Sequence, residues 1–465
     1  MKHRNGCGAK GRREVEDGMN GRPEGELAAV SEETKQARDI RARWSWVEPD
    51  VWTDRMLTAL EQGVKGGKWF SLMDKVYSVA NLRQAFHGVL ARGGAAGVDH
   101  ETVDMFARRE EANLEKISRA LSRDQYQPAA VKRVWIPKPG SHEKRPLGIP
   151  TVRDRVVQAA MCHVLEPIFE RDFAEHSYGF RPKRGCKDAL RRVEHLLHEG
   201  YTWVVDADLK SYFDTIPVEK LLSLVADKVS DGRVLQLVKT YLRQGVLEEG
   251  KYWTPAQGTP QGGVISPLLS NIYLDPLDHR MAALKVEMVR YADDFVLLCQ
   301  TESQAQAALL EVQRWTAEAE LTLHPEKTRI VDATQRGGFD FLGYHFERGM
   351  KWPRKKSLEK LKTTVRGFTR RNNGNSLPRI ISDLNRSLTG WFQYFQHSHK
   401  TTFPLLDGWI RMRLRSILRR RQGKSGRGRG SDHQRWTNNF FTGYGLFSLS
   451  AAHTAACQSL RKANH

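Results

Sequence analysis

Four aspartates lie in two short stretches of the sequence where their spacing suggests shared chemistry. Asp206 and Asp208 are two residues apart at the end of an apolar stretch that predicts a buried strand, so both side chains would point to one face. Asp293 and Asp294 lie between two apolar stretches of strand length, a pattern that predicts a β-hairpin with the acids at its tip. An Asp-Asp pair is by itself common in turns, where the side chains bond the local backbone. A shared catalytic site is therefore indicated only if the fold brings the two pairs together.

The predicted elements around these aspartates bring the two pairs together. Their order is strand 202–209, a helix from Pro217, strands 287–291 and 295–299, helix 302–320 and strand 328–332. This β-α-β-β-α-β order is typical of a ferredoxin-like sheet, in which we expect the first strand to lie beside the hairpin. Three carboxylates would then crowd at one edge of a buried sheet, which is unfavourable unless a cation neutralises them.

Such a cluster suits metal-assisted chemistry. Hard carboxylate oxygens with open coordination positions favour Mg²⁺ over zinc. Two such ions, roughly 3.5–4 Å apart, activate an attacking hydroxyl group and stabilise a leaving pyrophosphate. The carboxylates therefore predict nucleotidyl transfer with two Mg²⁺ ions as the cofactor.

Positive charge is concentrated at one end of the chain. The 465 residues have a formal net charge of +20. Residues 351–465 hold 24 lysines and arginines against four acids, whereas the remaining residues hold 50 of each kind. The whole excess therefore falls in the last quarter, and a nucleic acid is the partner that best relieves such repulsion.

Composition also excludes several classes of protein. The five cysteines are scattered singly, which indicates neither a zinc site nor a disulfide framework. No apolar run approaches the roughly 18 residues that a membrane span needs. The first 40 residues lack the apolar stretch of a signal peptide. We therefore expect a cytoplasmic protein without a membrane partner.

Three motifs resemble those of reverse transcriptases. Tyr291-Ala-Asp-Asp294 between apolar flanks looks like the signature of that family. The segment from Asp206 to Asp214, Asp-Ala-Asp-Leu-Lys-Ser-Tyr-Phe-Asp, resembles the family's first metal motif. Gly258–Pro267 resembles the motif that lies under the incoming nucleotide. The ordered set is highly specific.

The resemblance implies roles for individual residues. The catalytic and metal-binding carboxylates would be Asp208, Asp293 and Asp294, and the carbonyl group of Leu209 would complete a metal shell. Phe213 stands where the family has an aromatic ring that leaves no room for a 2′-hydroxyl group, which favours dNTPs over rNTPs. The other residues expected to bind the dNTP are Lys138, Arg145, Gln261 and Lys327.

Segments outside these motifs resemble proteins encoded by bacterial group II introns. These are Trp52-Thr-Asp-Arg-Met-Leu in the N-terminal extension, Ser177–Cys186, and Asn385–Tyr394 in the maturase region. In that family the protein binds its own group II intron RNA, helps it splice and copies it into DNA at a target site. The longest members end in an HNH endonuclease, which this sequence is expected to lack, so target DNA or nascent DNA would supply the primer.

The resemblance also implies the fold, an α+β right-hand polymerase with fingers, a ferredoxin-like palm and an α-helical thumb. The predicted regions are a disordered arm at 1–50, an N-terminal extension of the fingers at 51–115, fingers and palm at 116–348, a thumb or maturase domain at 349–422, and a basic linker with a DNA-binding segment at 423–465. The predicted nucleic-acid contacts are Arg411, Arg413, Arg415, Arg419, Arg420 and Arg421. We expect a bacterial cytoplasmic protein that associates with the nucleoid when it acts on DNA.

Two other functions fit the sequence. One is a related reverse transcriptase that the host has adopted for DNA repair or defence, with polymerase activity but no intron. The other is a maturase that only binds RNA and assists splicing. The intact set of carboxylates counts against the second, because a binding protein has no need to crowd three acids. The protein sequence does not separate the first from an intron-encoded enzyme.

Overall fold

The computed structural model describes residues 39–137, 144–255, 257–258 and 262–463. The chain divides into two units, residues 1–45 and 46–465. In the first unit, residues 39–43 are helical, and in the second, Val47 and Val51 are buried. Residues 39–43 and Val47 belong to the region 1–50 that was predicted to be a disordered arm. Because they are helical or buried, that prediction is wrong for the end of the region. Among the described residues, no helix is long and apolar enough to cross a membrane.

The N-terminal part of the second unit is helical, as the apolar spacing of residues 52–97 predicts. Its helices are α1 (Asp54–Gln62), α2 (Met73–Val76), α3 (Val79–Arg92), α4 (Val103–Ala107) and α5 (Glu110–Ser122). The hydroxyl group of Thr53 caps α1 by accepting a hydrogen bond from the backbone N–H of Met56 at 3.4 Å. Helix α3 buries a stripe that includes Leu82, Phe86 and Val89.

A four-stranded sheet, here called the finger sheet, follows. Its strands are β1 (Val131–Pro137), β2 (Lys144–Ile149), β4 (Val246–Glu248) and β5 (Lys251–Trp253), in the order β2-β1-β4-β5. Strands β1 and β2 form an antiparallel hairpin. Strands β4 and β5 were not predicted, because three residues are too few to show an alternating pattern.

The palm contains the predicted ferredoxin-like sheet. Its strands are β3 (Trp203–Asp208), β6 (Glu287–Tyr291), β7 (Asp294–Cys299) and β8 (Arg329–Asp332), antiparallel in the order β6-β7-β3-β8. Its helices are α6 (Val152–Glu170), α7 (Cys186–His198), α8 (Tyr212–Thr215), α9 (Val218–Ala226), α10 (Gly232–Leu242), α11 (Ser266–Ala283) and α12 (Glu302–Glu318). The first strand of the motif lies beside the hairpin β6–β7, so the expected placement of the two aspartate pairs is confirmed.

Beyond the palm, a three-stranded sheet leads into the thumb. Strands β9 (Phe339–Phe341), β10 (Tyr344–Glu347) and β11 (Met350–Pro353) lie in the order β11-β10-β9. Because β11 pairs with β10, the predicted thumb boundary at residue 349 is a few residues too early. Helices α13 (Lys355–Phe368), α14 (Leu377–Phe395) and α15 (Thr402–Arg421) then pack around one apolar core, as their apolar stripes predict.

The last residues complete the thumb core. Helices α16 (Ser431–Arg435), α17 (Asn438–Gly443) and α18 (Leu449–Ala463) follow α15. Trp436, Phe441 and Leu449 are buried in the same apolar cluster as α13, α14 and α15. The carboxylate of Asp407 in α15 accepts hydrogen bonds from the backbone N–H groups of Leu449 and Ser450 at 3.0 and 3.1 Å. The predicted boundary between residues 422 and 423 is therefore wrong as a division of the fold.

Replacing Phe441 with alanine tests this joint core. Its side chain is fully buried, so Phe441→Ala should lower the free energy of unfolding by about 3–5 kcal/mol through lost burial and a cavity. Leu405→Ala is the matched control, because Leu405 is 75% exposed and its loss should change stability by less than about 0.5 kcal/mol. Chemical denaturation of the full chain measures both. Equal stabilities would mean that the tail does not belong to the thumb core.

Candidate active site and nucleic-acid interface

The carboxylates meet where β3 ends and β7 begins. Asp208, the last residue of β3, is the direct cross-strand partner of Asp294, the first residue of β7. Asp293 precedes it in the hairpin turn, where Ala292 has a positive φ of 59°. Few residues other than glycine adopt that conformation, and they do so mainly in tight turns. The turn thus delivers two consecutive carboxylates to the end of the strand that carries the third.

Burial and mutual repulsion dominate the electrostatics of this edge. Burial raises the pKa of Asp294 to about 7, and the negative charges of Asp293, Asp206 and Asp208 push it in the same direction. Arg354 opposes that shift. Burial also raises the pKa of Asp293, with Asp208 adding to the effect. The nearby positive charges therefore only partly offset the burial and mutual repulsion of the carboxylates.

The donor set fits a hard divalent cation. Carboxylate oxygens at a partly desolvated edge are the ligands that Mg²⁺ prefers. In the part of the chain that the structure describes, no three acidic, histidine or cysteine side chains already surround a common metal position. The Nζ atom of Lys327 instead lies 2.6 Å from Oδ2 of Asp208. The structure thus brings Lys327, predicted to bind the nucleotide, to the carboxylates.

Asp206 pairs with an arginine of β8, whereas Asp208 pairs with Lys327. Its Oδ2 atom lies 3.5 Å from Nε of Arg329, its cross-strand neighbour on β8. Burial raises the pKa of Asp206 to about 6, although the Arg329 charge opposes the shift. The ion pair ties Asp206 to β8.

A buried arginine, which the sequence reasoning missed, holds the hairpin turn from below. Arg290 in β6 is fully buried and pairs with Asp278 of α11, with 2.8 Å between Nε and Oδ1. Its Nη1 donates to Oδ1 of Asn271 at 2.9 Å and to the carbonyl of Ala292 at 3.0 Å. The available signal was a cation inside an otherwise apolar strand, since a buried charge needs a partner.

The segment after α6 also supports this turn. The backbone N–H of Tyr178 donates to the carbonyl of Arg290 at 2.8 Å, and the N–H of Arg290 donates to the carbonyl of His176 at 3.0 Å. Gly179 approaches so closely that an added Cβ atom would lie 2.2 Å from the backbone nitrogen of Ala292. The segment Ser177–Cys186, singled out by its family resemblance, thus packs directly against the hairpin turn that carries Asp293.

The segment Gly258–Pro267, here called the nucleotide motif, contacts three other parts of the fold. A Cβ atom on Gly258 would lie 2.7 Å from the carbonyl oxygen of Phe213, and one on Gly262 would lie 2.3 Å from that of Gly148 in β2. The side-chain oxygen of Gln158, a buried residue of α6, accepts a hydrogen bond from the backbone N–H of Val264 at 2.6 Å.

Two of the predicted dNTP contacts lie in segments that the nucleotide motif approaches. Phe213 lies beside Gly258, and the exposed Arg145 lies in β2, the strand that Gly262 approaches. Lys327, the third, lies beside Asp208, and the remaining two, Lys138 and Gln261, lie outside the described residues.

The predicted arginine surface of the thumb is only partly a surface. Arg415 is 4% exposed and donates from Nε to the carbonyl of Trp436 at 2.8 Å, so its assignment as an outward nucleic-acid contact is wrong. The physical reason is that the tail covers this side of α15.

Three further arginines of the predicted set also have internal partners. One is Arg421, which donates to the carbonyl of Asn373 at 3.3 Å and to that of Asn375. Arg413 donates to the hydroxyl and carbonyl oxygens of Thr369 at 3.0 and 2.8 Å. Arg419 pairs with Asp432 at 2.6 Å. Arg420 and Arg421 are exposed, and Arg411 is partly exposed.

Comparison with known proteins agrees with these features. The family model for reverse transcriptase (RNA-dependent DNA polymerase) matches residues 136–346, and the model for the group II intron maturase-specific domain matches residues 358–436. Protein YkfC of Escherichia coli (strain K12) is 34% identical over 66% of this chain and 86% of its own length.

Other known proteins match less of their own length. Group II intron-encoded protein LtrA of Lactococcus lactis subsp. cremoris is 38% identical over 44% of this chain, which spans about a third (34%) of LtrA. A solved structure, the partial Cas6-RT-Cas1–Cas2 complex, aligns with a TM-score of 0.34 and 23% identity over 53% of this chain and 41% of that chain. This likeness is too slight to bear on function. The two matched domains and the extent of the YkfC match show that the chain belongs to the reverse transcriptases of the group II intron family.

Proposed function

We propose that this reverse transcriptase is encoded by a group II intron, binds that intron's RNA, assists its splicing and copies it into DNA at a DNA target. The observation that carries the polymerase part is the direct pairing of Asp208 with Asp294 beside Asp293. The maturase-specific domain that follows the palm supports the RNA part.

Asp208, Asp293 and Asp294 are proposed to hold two Mg²⁺ ions, with the carbonyl group of Leu209 as a further oxygen ligand. Such ions lower the pKa of the attacking primer hydroxyl group and neutralise the leaving pyrophosphate. The carboxylates must be ionised to bind them, so Asp294 gives up the proton that its raised pKa retains near neutrality. Lys327, beside Asp208, adds positive charge on the side where the triphosphate would bind.

The remaining nucleotide contacts are proposed around the Gly258–Pro267 motif. Arg145 would fork onto phosphate oxygens, and Lys138 would supply a point charge. Gln261 would contact the dNTP from within the motif. Phe213 would close the space beside the sugar at C2′, because its backbone lies against Gly258 at the start of the same motif.

The basic thumb is proposed to hold the RNA–DNA duplex through its phosphates, which provides affinity without sequence preference. Arg420 and Arg421 are the exposed members of the predicted set, and Arg411 is partly exposed. The 423–465 segment is proposed to contact the DNA target.

Removing one carboxylate tests the polymerase assignment. Asp293→Asn should abolish primer extension on an RNA template and leave RNA affinity within about twofold, since the amide keeps the shape but not the metal-binding charge. Asp332→Asn is the matched control. Asp332 pairs with Trp203, at the opposite end of β3 from Asp208, so this variant removes a carboxylate from the same sheet but away from the site. Extension by the Asp293 variant at the control's rate would refute the assignment.

Enlarging the space near Phe213 tests the sugar gate. Phe213→Val should raise the use of rCTP relative to dCTP, by roughly tenfold or more in the ratio of kcat/KM values, because the smaller side chain admits the 2′-hydroxyl group. Single-nucleotide incorporation kinetics measure the ratio, and dCTP incorporation by the same variant reports whether it remains active. An unchanged ratio in an active variant would remove Phe213 from this role.

A further inference from the structure

The two faces of the finger sheet have different surroundings, because one contacts the nucleotide motif and the other carries exposed tryptophans. Val134 and Leu147 are cross-strand partners and therefore share a face, and an added Cβ atom on Gly262 would contact the Leu147 side chain. This inner face looks toward the nucleotide motif. The strand register places the buried Val131 and Val246 on the opposite face, here called the outer finger face. The more exposed side chains of this face are Arg133, Trp135, Glu248, Lys251 and Trp253.

Two tryptophans are exposed on the outer finger face. Trp135 is 47% exposed and Trp253 is 37% exposed. Exposed aromatic side chains grouped on one surface are characteristic of interaction sites, since a large apolar ring otherwise gains by burial. Both rings have defined neighbours, because the indole N–H of Trp135 donates to the carboxylate of Glu248 and the Arg133 guanidinium lies 5.6 Å from the centre of the Trp253 ring.

These groups form a row of flat side chains with matching spacing. Arg133 and Trp135 are alternate residues of β1, which places them about 6–7 Å apart along the strand. That interval is close to twice the roughly 3.4 Å repeat of nucleotides in a stacked strand. Trp253, at the end of β5, is separated from β1 by β4 and is level with Val131, so along the strand direction it lies on the other side of Arg133 from Trp135. The row therefore alternates aromatic, cationic and aromatic groups.

Charge and geometry together select the partner. Arg133 and Lys251 outnumber Glu248 on this face, and Glu248 already accepts the Trp135 N–H. Flat rings beside cations suit unpaired nucleobases and their phosphates, because bases stack on aromatic rings while cations contact the backbone. A duplex would present only its phosphates to such a row.

We propose that the outer finger face binds unpaired RNA, with bases stacked on Trp135 and Trp253 and phosphates held by Arg133 and Lys251. The bound segment is not the one being copied, because this face points away from the nucleotide motif. The inference deepens the proposed RNA-binding function by naming a second RNA surface, separate from the thumb.

The test uses the full chain and a labelled oligoadenylate of about ten nucleotides, within the length that one such surface binds. An excess of unlabelled blunt RNA–DNA duplex occupies the thumb, and fluorescence anisotropy reports binding of the oligoadenylate. Trp135→Leu and Trp253→Leu keep apolar bulk but remove the aromatic face, and each should weaken binding roughly five- to hundredfold. Trp135→Phe should restore most of the affinity, and Leu284→Ala, an exposed apolar position on the palm, should leave it unchanged.

Salt dependence separates the two kinds of contact. Arg133→Gln should reduce the slope of log affinity against log salt concentration by about 0.7, the value for one phosphate of a single strand. The Trp→Leu variants should weaken binding without changing that slope. Asp293→Asn should bind the oligoadenylate like the unmodified chain, so failure of the polymerase assignment and failure of this inference are distinguishable.

Three outcomes would overturn the inference. The first is unchanged oligoadenylate affinity in both leucine variants, provided that their unfolding midpoints match the unmodified chain. The second is a Trp135→Phe variant as weak as Trp135→Leu, because packing rather than stacking would then explain the loss. The third is a chain that self-associates, loses this association in the leucine variants and keeps its RNA affinity, which would make the face a protein interface.

Discussion

Repulsion between desolvated carboxylates at the end of β3 is the constraint on which the rest of the palm depends. Asp208 and Asp294 face each other across two strands, and Asp293 is adjacent in the turn. Burial and like charges raise the pKa of Asp294 to about 7, so the folded chain retains a proton that an exposed aspartate would lose. An arrangement that opposes its own ionisation persists only where the surrounding structure holds it in place.

That support comes from parts of the chain far apart in sequence. The Arg290 guanidinium, buried beneath the turn, is neutralised by Asp278 and fixed by Asn271, both on α11. The same helix reaches back to the first metal motif, because the Tyr212 hydroxyl donates to the carbonyl of Ser270 at 2.8 Å. A segment around Gly179 closes the turn from the other side. The carboxylates are thus positioned by a buried ionic and hydrogen-bonded layer under the sheet.

The sequence predicted the elements whose pattern is regular over many residues. The ferredoxin-like order, the hairpin and the thumb helices follow from apolar periodicity, and the meeting of the aspartates follows from that topology. Periodicity does not say what covers a surface, which is why Arg415 was placed outside although the tail buries it. The partners of Arg290 were missed for a related reason, because pairing between distant elements leaves no local pattern. Strands β4 and β5 were too short to recognise from the sequence. The outer finger face, which these strands help to form, was therefore not predicted either.

Binding of Mg²⁺ to the full chain without nucleic acid tests the central claim most directly. Calorimetric titrations would be run about one pH unit below and one above the pKa of about 7 that burial confers on Asp294. If ion binding displaces the proton from this carboxyl group, the affinity should be about tenfold weaker at the lower pH, with proton release into the buffer. Equal affinities at both pH values, unchanged by Asp294→Asn, would contradict a metal centre at the paired ends of β3 and β7.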